Sequence, residues 1–391
     1  MRRWIRLIAC VLLFAILPLG GVYGGSAPDG QVPPPIPTTS ARAAILMDAY
    51  GQVLYAHNVD ASLPMASTTK IMTALVVIES VDVETTVKIP AAAVGVEGSS
   101  AYLIAGEEMR ISELLHALML ESANDAAVAL AITVAGSVEA FANLMNAKAR
   151  ELGLNATHFM NPHGLDHEEH YTSARDLATL TAVALQNETF AKIVSTVRYS
   201  APVEESDTIR LYLNHNRLLR EYEGCIGVKT GYTKRCGRCL VSAAERNGIT
   251  LIAVTLSDPD DWRDHRAMLD YGFATCRETL LADIGEIACT IPVVGGTPGS
   301  VTARNTQSVS LTLPIGTEAT VRLEIPRFCW GSVRAGEEIG QAVFAVNGTV
   351  AATIPIIVES DVTAIVYEKT VWDKIGDFFA AIRNWLAGLF A

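Results

Sequence analysis

The sequence is short of basic residues. Its 391 residues include 30 Lys and Arg against 42 Asp and Glu, which gives a formal net charge of -12 at pH 7. Proteins that hold nucleic acid present a basic surface to the phosphates, so no nucleic acid is expected as a partner. Half of the residues are hydrophobic, and a chain of this length can form two domains with substantial cores.

Cysteine is also scarce. Of the seven cysteines, Cys10 lies in the first apolar segment, which leaves six. Six cysteines in so long a chain are not the disulfide scaffold of a small secreted protein, although one or two bridges remain possible, with the pairing unsettled. Cys236 and Cys239 have C-x-x-C spacing, but residues i and i+3 of a strand point to opposite faces, so no shared ligand is expected.

His167 and His170 superficially resemble a zinc-binding pair. They are spaced i, i+3, whereas the zinc helix needs i, i+4, and the neighbouring Pro162 and Gly164 indicate a loop. We therefore predict neither a metal nor a cofactor.

The N-terminus has the form of an export signal. Three arginines precede an apolar run from Leu7 to Leu19 that is too short to cross a bilayer comfortably. Small residues suit cleavage near Gly24. This predicts a signal peptide at 1–24 and a Pro- and Ser-rich linker at 25–41.

Short strand patterns flank a helical middle in the next part of the chain. Strands are predicted at 43–49, 53–56, 209–213, 226–230, 240–244 and 251–256, and helices near 67–78 and at 112–134, 138–152, 174–185 and 263–274. Strands from distant segments would join in one sheet covered by helices, which gives an α+β domain at 42–280. Alternating Val/Thr/Ile runs then predict a small all-β domain at 281–368.

Three motifs occur in order in the α+β domain. They are Ser67-Thr68-Thr69-Lys70 at a helix start, Ser122-Ala123-Asn124 in the helical middle, and Lys229-Thr230-Gly231 on a strand. Each alone is weak, but their order and contexts together are specific.

Each motif has a chemical reason. Lys70 lies one helical turn from Ser67 and, when neutral, can take its proton; burial and the nearby charge of Lys229 would favour the neutral form. Ser122 could relay a proton to a leaving amine, and the Asn124 amide could hold a substrate backbone and a lysine.

The third motif suits a substrate carboxylate. Lys229 and Thr230 would bind it, and Gly231 lets the strand lie close to the ligand.

With these motifs, the chain resembles the low-molecular-mass penicillin-binding proteins, the serine-type D-alanyl-D-alanine carboxypeptidases. Asn161-Pro162-His163-Gly164-Leu165, Tyr171 to Leu177, Asn214 to Leu219 and Gly227 to Thr233 also match the family. The resemblance covers about residues 40 to 370 and the C-terminal helix. It implies a β-lactamase/transpeptidase-like catalytic domain with an antiparallel sheet covered by helices, followed by the all-β domain.

By the same resemblance, Ser67 is acylated by cell-wall stem peptides and by β-lactam antibiotics, and the backbone N–H groups of Ser67 and Tyr232 form the oxyanion hole. Arg263 is the nearest candidate for the arginine that the family often carries before the closing helix. Cys236 stands where the family usually has a small residue.

Two other functions are weighed against the carboxypeptidase. A serine β-lactamase would need a glutamate that holds a deacylating water, and none is convincingly placed. A noncatalytic, membrane-bound wall-binding protein would not need the three intact motifs.

The end of the chain has an amphipathic pattern. Apolar residues from Trp372 to Leu389 recur at helical spacing, including Trp385, and the charged residues between them cancel. One alternative is a helix packed on the β domain. The pattern favours an amphipathic helix at 369–391 in a membrane interface, which would hold the exported enzyme at the extracytoplasmic face of the membrane.

Overall fold

The computed structural model describes residues 18–19, 35–202, 208–315, 317–365 and 371–389. They form two compact units: one contains the described residues of 23–279 and 310–318, and the other contains those of 1–22, 280–309 and 319–391. Apart from 18–19, the predicted signal peptide lies outside the described residues, as does the linker up to residue 34.

The helices are named in chain order. They are α1 Lys70–Ser80, α2 Ile111–Leu120, α3 Asn124–Ala135, α4 Val138–Glu151, α5 Ala174–Leu185, α6 Glu188–Ser195, α7 Leu218–Glu221, α8 Asp261–Thr275 and α9 Val371–Leu389, with 3-10 turns at Ala66–Thr69 and Ala91–Ala93.

The strands follow in the same way. They are β1 Pro18–Leu19, β2 Ala43–Asp48, β3 Val53–His57, β4 Thr86–Lys88, β5 Glu108–Arg110, β6 Arg198–Pro202, β7 Ile209–Leu213, β8 Cys225–Thr233, β9 Gly237–Arg246, β10 Ile249–Leu256, β11 Cys276–Ala282, β12 Ala288–Val294, β13 Gly296–Thr297, β14 Ser300–Asn305, β15 Val309–Pro314, β16 Ala319–Glu324, β17 Cys329–Trp330, β18 Glu338–Val346, β19 Thr349–Val358 and β20 Thr363–Ala364.

A five-stranded sheet organises the larger unit. Its order is β3-β2-β10-β9-β8, and every neighbouring pair is antiparallel. The N-terminal strand β2 thus pairs with β10, as the sequence predicts for a sheet built from distant segments. The strand with the third motif, β8, is the last in this order.

Both faces of this sheet are buried. Along β2, Ile45 packs into a core with the central helices, whereas Leu46 belongs to a second core with α8 residues such as Leu269. Successive strand residues point to opposite faces, so the apolar residues 43–47 of β2 supply both cores. Each fully buried aliphatic side chain of this kind contributes about 1.5–3 kcal/mol.

One predicted helix is wrong in an informative way. The continuous helix expected at 112–134 is two helices, α2 and α3, separated at residues 121–123. Ser122 there has φ +59°, which a right-handed helix cannot contain. Ser122 therefore lies in the turn between the two helices, and α3 begins at Asn124.

The cysteine argument also needs correction. Cys236 lies in the turn before β9 and not on the strand, and both Cys236 and Cys239 are buried in the same core. Strand alternation therefore does not separate them. The six cysteines among the described residues are free thiols.

The second unit contains a seven-stranded sheet in the order β1-β16-β18-β19-β14-β12-β17. Helix α9 belongs to this unit, and its large apolar side chains are exposed, with Trp372 at 80% and Trp385 at 66%. Within the described ranges, no single helix is long and apolar enough to cross a membrane; the bent pair of α3 and α4, at 83°, meets that test only together.

Candidate active site

The first motif lies where a tight turn enters a buried helix. Ser67 is in the 3-10 turn Ala66–Thr69, and α1 begins at Lys70. No side chain caps this helix start, although Ser67, Thr68 and Thr69 are residue types that often do so. The turn instead brings Lys70 Nζ to 2.9 Å from Ser67 Oγ.

Lys70 has two further contacts. Its Nζ lies 2.7 Å from Asn124 Oδ1 and 2.6 Å from the carbonyl oxygen of His163. The Asn124 amide orientation follows from its Nδ2, which donates to the Glu97 carbonyl at 2.6 Å. Both partners of Lys70 are therefore hydrogen-bond acceptors. A neutral amine has two hydrogens for them and one lone pair left, which faces the Ser67 hydroxyl.

The surroundings of Lys70 favour that neutral form. The side chain is completely buried, and burial lowers the pKa of Lys70 well below its ordinary value. The charge of Lys229 lowers this pKa further, whereas Asp125 opposes the shift. Burial and the charge of Lys229 are the two causes that the sequence predicts for a neutral Lys70.

The second motif occupies the α2–α3 turn. Asn124 N–H donates to the Ser99 carbonyl at 2.7 Å, which ties the start of α3 to the loop beside it. Gly98 in that loop has φ +94°, and a Cβ there would lie 2.7 Å from Asn124 Nδ2. The loop can therefore approach the amide this closely only with glycine at this position.

The third motif lies on β8. A Cβ on Gly231 would be 3.0 Å from the Ser67 nitrogen, so the strand runs directly against the 3-10 turn that contains Ser67. Lys229 is buried, and its Nζ donates to the Thr230 carbonyl at 2.9 Å. Burial lowers the pKa of Lys229 to about 7, although Glu121 opposes the shift. Lys229 is therefore only partly charged at neutral pH.

A cavity of about 510 Å³ opens above these three motifs. It is lined by Ser67, Ser99, Ser122, His215, Thr230, Gly231, Tyr232, Arg238, Cys239, Asp261 and Trp262. Five predicted site residues are in this lining, and the buried Lys70, Asn124 and Lys229 are not. The structure thus brings Ser67, Ser122 and the outer strand β8 to one opening, with Lys70 and Lys229 buried behind it.

Sequence reasoning missed several residues of this lining. Arg238 forms a two-pronged ion pair with Asp261, at 2.8 and 3.0 Å, and its guanidinium carbon lies 5.8 Å from the centre of the Trp262 ring. Arg263, the arginine singled out from the sequence, instead pairs with Asp260 and Asp264 and is not in this lining.

One signal pointed to Arg238. It stands directly opposite Tyr232 in the β8–β9 hairpin, so a prediction of that register would have placed it near the third motif.

His215 is a further missed residue. Its Nε2 lies 3.3 Å from Glu121 Oε2. Burial and the charge of Lys229 lower the pKa of His215, against the opposing effect of Glu121. His215 therefore brings a titratable group to the cavity wall, within electrostatic reach of Lys229. Among the described residues, no group of three or more His, Cys, Asp or Glu could hold a metal ion.

A known protein family has the same sequence pattern. The family profile described as D-alanyl-D-alanine carboxypeptidase matches residues 30–260, more than half of the chain. The chain belongs to this family of serine peptidases.

Individual relatives extend the likeness beyond the matched range. D-alanyl-D-alanine carboxypeptidase DacF of Bacillus subtilis (strain 168) is 32% identical over 351 residues, which cover 86% of this carboxypeptidase and 90% of DacF. Among solved structures, carboxypeptidase DacD from Francisella tularensis matches with a TM-score of 0.61 and 26% identity, over 87% of this chain and 97% of that one. Penicillin binding protein 5 from Haemophilus influenzae matches with a TM-score of 0.61 and 29% identity, over 85% and 100%.

These comparisons confirm three predictions made from the sequence. They are the family, the β-lactamase/transpeptidase-like α+β fold, and the function as a serine D-Ala-D-Ala carboxypeptidase that acts on cell-wall peptides and binds penicillin. An extracytoplasmic site of action is consistent with that function.

Proposed function

We propose that this carboxypeptidase works through an acyl-enzyme on Ser67. Ser67 Oγ attacks the carbonyl carbon between the two terminal D-alanines of a peptidoglycan stem pentapeptide, and its proton passes to Lys70. The C–N bond then breaks, Ser122 relays a proton to the leaving amine, and free D-alanine departs. Water cleaves the ester and restores the Ser67 hydroxyl.

The contacts of Lys70 carry this proposal. A serine hydroxyl is a weak nucleophile until a base removes its proton. Two acceptors fix both hydrogens of a neutral Lys70, so that its lone pair meets Ser67 Oγ at 2.9 Å. This separation is within the reach that a general base needs.

The outer strand supports the binding of an extended peptide. Since β8 is the last strand of the five-stranded sheet, a stem peptide can add along its edge. The same approach would direct the scissile carbonyl oxygen at the N–H groups of Ser67 and Tyr232, the proposed oxyanion hole. Gly231 leaves room for the strand beside Ser67.

Carboxylate recognition needs a lasting positive charge. Lys229 has a pKa of about 7 and supplies only part of it near neutral pH. Arg238 places a guanidinium in the cavity lining with Thr230, a group whose planar fork suits a carboxylate. We therefore assign the terminal carboxylate of the substrate to Thr230, Lys229 and Arg238 together. A β-lactam presents a reactive carbonyl and a carboxylate to the same groups.

The test uses intact-mass spectrometry of the protein with penicillin and the release of D-alanine from a model pentapeptide. Ser67→Ala should abolish the covalent adduct and reduce peptide cleavage by at least roughly 10³-fold, as expected when a nucleophile is removed. Ser80→Ala, at the far end of α1, removes a hydroxyl that bonds the Val76 carbonyl and should keep both activities.

Two results would contradict the proposal. An active-site adduct that persists in Ser67→Ala would place the nucleophile elsewhere. Rapid turnover of the penicilloyl adduct without D-alanine release would favour the β-lactamase alternative.

We also propose that α9 attaches the exported enzyme to the extracytoplasmic membrane surface. Its aromatic side chains Trp372, Phe378, Phe379 and Trp385 are at least 63% exposed. Each would contribute on the order of 1.5–3 kcal/mol when buried in the interface, before ordering costs, which suits reversible attachment without a spanning segment.

Vesicle sedimentation tests this attachment. A chain that ends at Lys369 should stay in the supernatant and keep full activity on a soluble peptide. The full chain should sediment, and salt should release little of it, because the charges of the helix cancel. Sedimentation of the truncated chain after confirmed signal cleavage would place the anchor elsewhere.

A further inference from the structure

A buried polar pair lies directly beneath the nucleophile turn. Thr69 and His170 are almost completely buried, and Thr69 Oγ1 lies 2.8 Å from His170 Nε2. Thr69 Oγ1 also donates to the carbonyl oxygen of Ala66 at 2.8 Å. Neither side chain touches the cavity, and the proposed acylation chemistry does not use them.

The proton positions in this pair follow from its partners. Met160 N–H donates to His170 Nδ1 at 3.0 Å, so Nδ1 is the unprotonated nitrogen. The proton of the neutral ring is then on Nε2 and is donated to Thr69 Oγ1. Thr69 in turn must direct its own proton to the Ala66 carbonyl. The result is a chain of hydrogen bonds with one direction, from Met160 to Ala66.

The neutral ring on which this chain depends is stable. Burial lowers the pKa of His170 to about 4, and the nearby His158, His167 and Lys70 lower it as well, against the opposing effect of Asp166. The ring edge also contacts Phe159, with centroids 5.8 Å apart.

The last acceptor in the chain belongs to the peptide group that precedes the nucleophile. Ala66 has φ +48°, an unfavourable conformation for a residue with a side chain. In a planar trans peptide the carbonyl and the following N–H point in opposite directions. Holding the Ala66 oxygen down on Thr69 therefore turns Ser67 N–H the other way, toward Gly231 and the cavity.

The loop at Gly164 also packs against the Ala66 carbonyl oxygen. Gly164 has φ +90°, and a Cβ there would lie 2.0 Å from the Ala66 oxygen and 2.9 Å from Thr69 Oγ1. The loop that contains Gly164 thus packs against this peptide group from below. The loop therefore blocks movement of the Ala66 carbonyl toward Gly164.

We propose that Thr69 and His170 are positioning residues that hold the Ala66–Ser67 peptide group so that Ser67 N–H points into the oxyanion hole. This inference rests on the proposed acylation of Ser67. The two residues act on the reaction only through the backbone.

The test is the ester carbonyl stretch of the penicilloyl adduct, measured by difference infrared spectroscopy together with the rate constant of acylation. A carbonyl that loses a hydrogen bond in the oxyanion hole absorbs at a higher wavenumber. Thr69→Val keeps the shape but removes the hydroxyl, so the stretch should rise and acylation should fall about 10- to 100-fold, somewhat less than the loss of a whole oxyanion donor. Thr69→Ser keeps the hydroxyl and should restore both.

The matched control is Thr181→Val, which removes an equally buried hydroxyl that bonds only its own helix, at Leu177 O. It should keep the wild-type spectrum and rate. His170→Phe should shift the stretch in the same direction as Thr69→Val, and an unchanged stretch would remove His170 from the proposal. Thr69→Ala replaces Thr69→Val in the same measurements if the valine variant does not fold.

The two levels of inference fail in different ways. Wild-type protein without a penicilloyl group on Ser67 would refute the proposed function. If the wild type forms the adduct and the folded Thr69 variant shows both a normal acylation rate and an unshifted stretch, this inference alone is overturned.

Discussion

Arg238→Leu should weaken the recognition of a free terminal carboxylate without damaging the acylation chemistry. A hydrogen bond to a charged group contributes about 1.5–3 kcal/mol. The Arg238 side chain is 43% exposed, and water therefore screens the interaction to about 1–2 kcal/mol. This corresponds to a roughly 5- to 30-fold loss in kcat/KM for a peptide that ends in D-Ala-D-Ala.

The assay compares that peptide with its C-terminal amide in wild type and variant. The amide lacks the charge that Arg238 would bind, so its already low kcat/KM should hardly change in Arg238→Leu. Arg263→Leu is the control, because Arg263 is an exposed arginine in an ion pair with Asp260 and is not in the cavity lining. Equal losses on acid and amide would show that Arg238 supports the fold through Asp261 and does not bind the carboxylate.

Two further predictions concern the lysines and the loop beneath the nucleophile. Lys229→Gln removes a charge that lowers the pKa of Lys70, so that pKa should rise in the variant. Because the proposed base must be neutral, the low-pH midpoint in a plot of acylation rate against pH should move to higher pH. An unchanged midpoint would contradict the coupling between the two lysines. Gly164→Ala should lower the free energy of unfolding by more than Gly153→Ala, because both have positive φ but only Gly164 lacks space for a Cβ. Denaturant unfolding of the two variants tests that difference. Equal losses in the free energy of unfolding would contradict the prediction.

The sequence predicts the regular elements well where local signals agree with packing. Helix α5 has the predicted bounds, 174–185. Its start is marked by Ser173, whose hydroxyl accepts the Asp176 N–H at 3.1 Å. A cap of this kind involves only residues within one turn, so the sequence contains all of its determinants. The same is true of the hairpin turn at Asn247-Gly248, where both residues have positive φ.

The missed features depend on contacts between distant segments. Arg238 enters the cavity because α8 presents Asp261 and Trp262 to the strand beside β8. The hairpin register places Arg238 beside Tyr232, but nothing near Arg238 in the sequence specifies its packing against α8. Arg263 was favoured as an arginine near the start of the closing helix. In the structure it lies within α8, and its ion pairs with Asp260 and Asp264 leave it outside the cavity lining.

The broken helix at Ser122 shows why an active site resists prediction from pattern alone. The Ala/Leu-rich sequence on both sides favours one continuous helix, yet the chain adopts φ +59° at Ser122. Ala66, beside the nucleophile, has φ +48°. Both residues have a side chain in the left-handed region, a conformation that persists only where the surroundings hold it.

Those surroundings are visible at each position. After Ser122, the N–H groups of Ala123 and Asn124 donate to the carbonyls of Ala117 and Ser99, which ties the chain there to α2 and to the neighbouring loop. Beside Ala66, the Thr69 hydroxyl holds the carbonyl. The strain is therefore offset by buried hydrogen bonds formed on folding, before substrate arrives. The backbone at Ser122 and the Ser67 N–H are thus held in place in advance, which is the condition for electrostatic stabilisation without reorganisation during the reaction.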